Sequence, residues 1–281
     1  MDRAAFLSGI ATLAIAPAFP KDALAQLEAR YGGRLGVAAV NSANGARIGH
    51  RAGERFPMCS TFKLLAAAAV LSRVDAGREH LHRRISYGKA DLLEYAPVTR
   101  SNVHKGFLTV RELCAAAVEH SDNTAANLLL RSIGGPAGVT AYARSLGDAL
   151  TRLDRNEPSL NDAVAGDPRD TTTPSAMAAD VQKLLTGRAL SRQSRGDLQS
   201  WLFGSTTGAE RIRAGIPSNW RVGDKTGSGA HATSNDVAVL YPPGRGPIVV
   251  AAYYTGSSAS SDQRNDVLAE VGRIVSSAAF A

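Results

Sequence analysis

Ser60 and Lys63 stand one helical turn apart, just ahead of Leu64-Leu65-Ala66-Ala67-Ala68-Ala69-Val70-Leu71. That run is strong helix material and apolar on every face, so the helix belongs in the middle of a domain. A serine at its start has the makings of an N-cap. Lys63 argues otherwise. A capping box wants Glu or Gln at that position, and the positive end of the helix dipole disfavours a cation in the first turn. A Lys one turn after a Ser lies on the same face. Burial and the dipole both lower its pKa toward that of a usable base. A serine hydroxyl is a poor nucleophile until a neighbour takes its proton. Ser60 and Lys63 have the chemistry and spacing for that step, although S-x-x-K alone matches many chains by chance.

Two further clusters supply what such a nucleophile needs. Ser121-Asp122-Asn123 precedes a second apolar helix, Thr124 to Leu130. All three residues cap helices well. Read functionally, Ser121 is a second hydroxyl that relays a proton, and Asn123 holds a substrate amide. Lys225-Thr226-Gly227 ends a predicted strand, where a basic residue beside a turn glycine is common. Read functionally, Lys225 is a fixed positive charge, Thr226 donates to a carboxylate, and Gly227 lets a ligand approach the backbone. The N–H of Ser228, with that of Ser60, would form an oxyanion hole.

The elements that position these residues follow from periodicity. Asp22 to Tyr31 reads as an amphipathic helix stopped by Gly32-Gly33. Leu35 to Val40 and Ala46 to Arg51 read as strands around the turn signal Asn44-Gly45. Helices are expected over 60–75, 109–120, 123–132, 136–146, 174–186 and 191–202. The 153–173 stretch is rich in Asp, Asn, Pro and Gly, and a loop of that length is usually functional or disordered. Strands return at Trp220 to Thr226, Asp236 to Tyr241 and Ile248 to Thr255, and Ser261 to Ala278 closes the chain as a helix. The expected fold class is therefore α/β in the α+β sense. One antiparallel sheet is built from both ends of the chain and covered by the terminal helices. An all-α lobe lies beside it, with the active site between the two. By residue, 19–59 and 204–281 form the α/β lobe and 60–203 the helical lobe with its 153–173 loop.

Composition narrows the function. A chain of 281 residues, 44% hydrophobic and 20% charged, is globular. The net charge of +7 is scattered without a Lys/Arg run or interleaved aromatics, so no nucleic-acid partner is expected. A diffuse positive field suits small anionic ligands. His80 and His82 are the only close His pair and sit in a polar segment, so no metal or other cofactor is expected. There is no G-x-S-x-G elbow and no G-x-G-x-x-G. Cys59 and Cys114 read as two buried free thiols, although an exported chain could pair them. Arg3, the apolar stretch Phe6 to Ile15 and Ala16-Pro17-Ala18 read as a signal peptide over 1–18, cut near Ala18. The mature protein is then exported, periplasmic or secreted, with no stable membrane association.

S-x-x-K, S-D-N and K-T-G in this order are the set found in class A β-lactamases and penicillin-binding proteins. The chain resembles a class A serine β-lactamase over essentially all of its mature length. The similarity extends to Glu94-Tyr95-Ala96-Pro97-Val98-Thr99, to Arg111-Glu112-Leu113-Cys114 and to Arg155-Asn156-Glu157-Pro158-Ser159-Leu160-Asn161. The resemblance implies hydrolysis of penicillins and cephalosporins through an acyl-enzyme on Ser60, and hence antibiotic resistance. It makes Glu157 the base that activates water, Asn161 its helper and Tyr95 the wall of the pocket mouth. It also implies a cis bond before Pro158, an Arg155–Asp170 pair closing the loop and Asn127 as the loop's anchor. Whether Lys63 or Glu157 takes the first proton stays open. A penicillin-binding peptidase or a non-hydrolytic β-lactam sensor of the same fold is the alternative, and the protein is expected to be a monomer. Three departures stand out. Ala67 faces Cys114 where many members carry a partner cysteine, and Gly229 stands where some carbapenem-hydrolysing members pair a cysteine with the one before the nucleophile. Ser234 stands where most members place an Arg; Arg211 is the expected replacement, behind Lys225 and Thr226.

Overall fold

A computed structural model describes residues 22–277, and the expected signal segment lies outside them. Chain order runs α1 (Ala23–Tyr31), β1 (Arg34–Asn41), β2 (Arg47–His50), β3 (Phe56–Pro57), α2 (Phe62–Asp75) and β4 (Arg84–Ser86). Next come α3 (Pro97–Ser101), β5 (Phe107–Thr109), α4 (Val110–Glu119), α5 (Asn123–Ser132), α6 (Pro136–Ser145) and β6 (Thr171–Thr172). The chain ends with α7 (Pro174–Leu185), α8 (Arg192–Phe203), β7 (Arg221–Gly229), β8 (Thr233–Tyr241), β9 (Ile248–Thr255) and α9 (Ser261–Ser277). The main sheet has the order β2-β1-β9-β8-β7, antiparallel throughout.

Alternation along the strands splits the core in two. Ala38, Val40, Val237, Val239, Val249, Ala251 and Tyr253 face the central helices. Their neighbours Val37, Ala39, Ala238, Leu240, Val250, Ala252 and Tyr254 face the other way, onto Leu24 and Leu27 of α1 and Val267, Leu268 and Val271 of α9. Both faces are covered, so β9 is buried along its whole length. In α2, every residue from Phe62 to Leu71 is buried, as an all-apolar helix requires. Lys63 is inside that stretch, and its burial needs a chemical explanation.

The β1–β2 hairpin turns at the Asn44-Gly45 signal: Asn41 N bonds to Ala46 O, Gly45 has φ 74°, and Asn44 Oδ1 accepts from Ala46 N. The short α3 and the two-stranded pairs β3–β6 and β4–β5 were not anticipated. Strands of two or three residues carry no period to read. The β3–β6 pair matters, because it ties the end of the 153–173 loop to the segment that enters Ser60.

Candidate active site

The nucleophile candidate sits in a 3₁₀ turn, Cys59–Thr61, that feeds α2. Cys59 has φ 45°, a left-handed conformation that costs energy for a residue with a Cβ. Ser60 makes no capping bond. Its Oγ donates to Glu157 Oε1 at 3.1 Å and accepts from Lys63 Nζ at 2.9 Å. Lys63 Nζ also lies 2.9 Å from Glu157 Oε1, with both side chains fully buried. It donates further to Ser121 O at 2.8 Å and to Asn123 Oδ1 at 2.6 Å. Burial pushes the Lys63 pKa below the ordinary lysine value, and the Glu157 charge opposes that shift.

Ser121 has φ 57°, a second strained backbone at the site. Its Oγ accepts from Lys225 Nζ at 3.0 Å and lies 3.4 Å from Lys63 Nζ, so it stands between two lysines. Asp122 turns away from the cleft. Its carboxylate caps α5 at Ala125 N and receives Val98 N, Thr99 N and Thr99 Oγ1. The capping explanation therefore holds for Asp122. Asn123 donates its backbone N–H to Tyr95 O, which fixes the wall residue, itself half exposed at the cleft mouth.

The loop presents Glu157 through its backbone. Asn127 Nδ2 donates to Glu157 O at 2.9 Å, and Glu157 N donates to Asn127 Oδ1 at 3.0 Å. This amide clamp from α5 leaves the carboxylate free to face Ser60. Asn161 Nδ2 donates to its other oxygen, Oε2. The Glu157–Pro158 bond is cis. Arg155 Nε donates to Asp170 Oδ2 at 2.6 Å, and Arg155 Nη1 donates to Asp162 Oδ2 at 2.7 Å. Asp170 Oδ1 receives Asp154 N and Arg155 N, so the loop is closed by backbone contacts as well as by charge.

Strand β7 forms the opposite wall. A Cβ at Gly227 would lie 2.7 Å from Met58 O and 3.2 Å from Thr61 N, so only glycine lets the strand pack on the Ser60 turn. Burial pushes the Lys225 pKa well below its usual value, and the Lys63 cation adds to the shift. Its Nζ donates to Ser121 Oγ and to Thr226 O at 2.9 Å. Arg211 passes behind the strand. Nη1 donates to Gly227 O at 2.9 Å and Asn235 O at 2.8 Å, Nη2 to Ser228 Oγ at 2.7 Å, and Nε to Asn265 Oδ1 at 3.1 Å. Arg213 points elsewhere, with Nε and Nη2 both on Asp224 Oδ2. Ser234 pairs with Ser228 across the ladder and accepts from Arg264 Nε at 3.1 Å.

Ser60, Tyr95, Ser121, Asn123, Asn161, Thr207, Arg211, Thr226, Gly227 and Ser228 line one cleft of about 370 Å³. Lys63, Glu157 and Lys225 lie beneath its surface. Two contributors escaped the sequence reading. Thr207 lies 2.6 Å from Thr226, Oγ1 to Oγ1. Asn235, fully buried, donates to Pro57 O and Met58 O and so ties β8 to the turn before Ser60. The polar run Ser234-Asn235-Asp236 opening an apolar strand was a readable signal for Asn235; Thr207, in a polar loop, had none. Both cysteines are free and buried, and a Cβ at Gly229 would fall 2.6 Å from Cys59 Sγ. Among the described residues no group of three His, Cys, Asp or Glu could hold a metal ion.

Comparison with known proteins gives a consistent neighbourhood. The model of the β-lactamase enzyme family matches residues 20–279. β-Lactamase Toho-1 of Escherichia coli is 50% identical over 252 residues, 90% of this chain and 86% of that one. β-Lactamase AST-1 of Nocardia asteroides is 53% identical over 251 residues, 89% of this chain and 81% of that one. The solved structure of an ancestral class A β-lactamase is 61% identical with a TM-score of 0.89, covering 91% of this chain and 98% of the other.

Proposed function

The chain belongs to the class A serine β-lactamases, and on that footing we propose that Ser60 forms the acyl-enzyme and Glu157 drives its hydrolysis. The reaction is opening of the β-lactam amide, which confers resistance to these antibiotics; penicillins and cephalosporins are the proposed substrates. The observation that carries the reading is Ser60 Oγ held between Lys63 Nζ at 2.9 Å and Glu157 Oε1 at 3.1 Å.

In the proposed cycle Ser60 Oγ attacks the lactam carbonyl carbon. Its proton passes into the Lys63–Glu157 pair, both members of which touch it. The N–H groups of Ser60 and Ser228 hold the tetrahedral oxygen. Ser121, in reach of both lysines, protonates the departing lactam nitrogen. Glu157, held by the Asn127 clamp and by Asn161, then takes a proton from the water that cleaves the ester. Asn123 binds the acylamide side chain, Tyr95 walls the mouth, and Lys225, Thr226 and Arg211 hold the substrate carboxylate. Gly227 keeps the strand close to the nucleophile. The N-terminal signal pattern supports export to the periplasm or medium. A peptidase or sensor of this fold would acylate and stop; a carboxylate against Ser60 disfavours both.

Glu157→Gln tests the proposal. The variant should accumulate a penicilloyl ester on Ser60, visible by intact-protein mass spectrometry, with deacylation slowed on the order of 10²–10⁴-fold. Steady turnover near the parent rate without trapped ester would overturn the role of Glu157. A covalent adduct on Ser60→Ala would overturn that of Ser60.

A further inference from the structure

Thr207 belongs to none of the sequence motifs, yet it lines the cleft with its Oγ1 2.6 Å from Thr226 Oγ1. Its place is pinned from both sides. Thr206 N and Thr206 Oγ1 donate to Glu119 O at 2.9 and 3.0 Å. Gly208 packs so closely on Asp224 that a Cβ there would fall 2.1 Å from Asp224 Oδ1. The Thr207 hydroxyl is thus presented to Thr226 by a fixed backbone.

A hydroxyl has one proton to donate and two lone pairs. Between two hydroxyls this close, one proton lies on the line joining the oxygens. If Thr226 supplies it, the lone pairs of Thr226 face the cleft and repel an anion. If Thr207 supplies it, the Thr226 proton is free to point into the cleft. We propose that Thr207 is a positioning residue: its hydroxyl donates to Thr226 Oγ1 and so aims the Thr226 proton at the carboxylate of the bound β-lactam. This rests on the reading of Lys225 and Thr226 as the carboxylate site. A chain of two hydroxyls ending on a carboxylate also strengthens itself, since each donor is polarised by the next acceptor. In this proposal Thr207 acts on the substrate through Thr226.

The test compares a penicillin with its methyl ester on parent, Thr207→Val, Thr207→Ser and Thr226→Val enzymes. Thr207→Val keeps the shape and removes the hydroxyl. Its KM for the free acid should rise about fivefold, the loss of one ordinary hydrogen bond, while kcat, and kcat/KM for the ester, stay near parent. Thr207→Ser should restore the KM for the acid. An equal loss on acid and ester, a failure of Ser to rescue, or an unchanged Thr207→Val enzyme would overturn the proposal. Thr226→Val separates it from the reading beneath. A lost acid preference in Thr226→Val with none lost in Thr207→Val leaves the carboxylate site standing and removes Thr207. An unchanged acid preference in both variants removes Thr226 from the carboxylate site and Thr207 with it.

Discussion

Lys63 and Lys225 are both fully buried, both depressed in pKa by burial and both in reach of Ser121 Oγ. Their surroundings differ in one respect. Lys63 has its counter-ion, Glu157, at 2.9 Å. For Lys225, among the described residues, no carboxylate oxygen forms an ion pair; its Nζ donates to neutral oxygens, and Lys63 disfavours its charge. A buried cation without a partner is costly. The arrangement makes sense if the missing anion arrives with the substrate. One lysine therefore has a counter-ion in contact, while the other has only Asp224 and Asp236, outside ion-pair distance, to oppose the charges of Lys63 and Arg211.

The comparison predicts a split in kinetics. Lys63→Ala should lower kcat on the order of 10²–10⁴-fold, because a group that moves protons is lost. Burst kinetics should show acylation itself slowed, and an unchanged acylation rate would break the contrast. Lys225→Ala should act on KM for substrates with a free carboxylate, lowering kcat/KM roughly tenfold to a hundredfold through loss of a charge-assisted contact.

Arg211 and Arg213 sharpen the same contrast. Arg211 lies behind Lys225 and Thr226 and reaches Ser228 Oγ, whereas Arg213 is committed to Asp224. Arg211→Ala should lower kcat/KM about tenfold with a modest change in Tm. Arg213→Ala leaves the fully buried Asp224 without its ion pair, so its effect should be a loss of stability of about 3 kcal/mol, read by denaturant unfolding. A larger kinetic loss at Arg213 would reverse the assignment.

The gentlest test is pH. The lysine cation binds a carboxylate and the neutral amine does not. The Lys225 pKa is lowered, so KM for a free-acid penicillin should begin to rise below the ordinary lysine range as pH increases. Lys225→Arg should carry that alkaline limb to higher pH, since guanidinium keeps its charge. A profile identical in parent and Lys225→Arg enzymes would mean that another group sets it.

Much of this molecule was legible because it is periodic. The helix that carries Lys63, the meander of β7, β8 and β9, and α9 match their expected spans to within a few residues, since each combines strong alternation or helical spacing with clear stop signals. The Arg155–Asp170 pair and the Asn127 anchor were implied by family resemblance, and both contacts are present. The β3–β6 pair was not legible, because two residues carry no pattern. Thr207 was not legible either, because a threonine in a polar loop is unremarkable until another hydroxyl faces it.

The sequence alone determined which chemical groups the protein has and that Lys63, in a helix apolar on every face, must be buried. The burial of Lys225 is a tertiary result, since the polar stretch Arg221-Val222-Gly223-Asp224 before it carries no apolar pattern and only the packing of β7 encloses it. Only the tertiary structure decided which lysine has a counter-ion. Ser60 and Glu157 are 97 residues apart, and Lys225 and Ser121 are 104 apart. Contacts at that range depend on how helices and sheet pack, to within fractions of an ångström. A hydrogen bond is made or lost over such distances, whereas periodicity resolves only which face a residue is on.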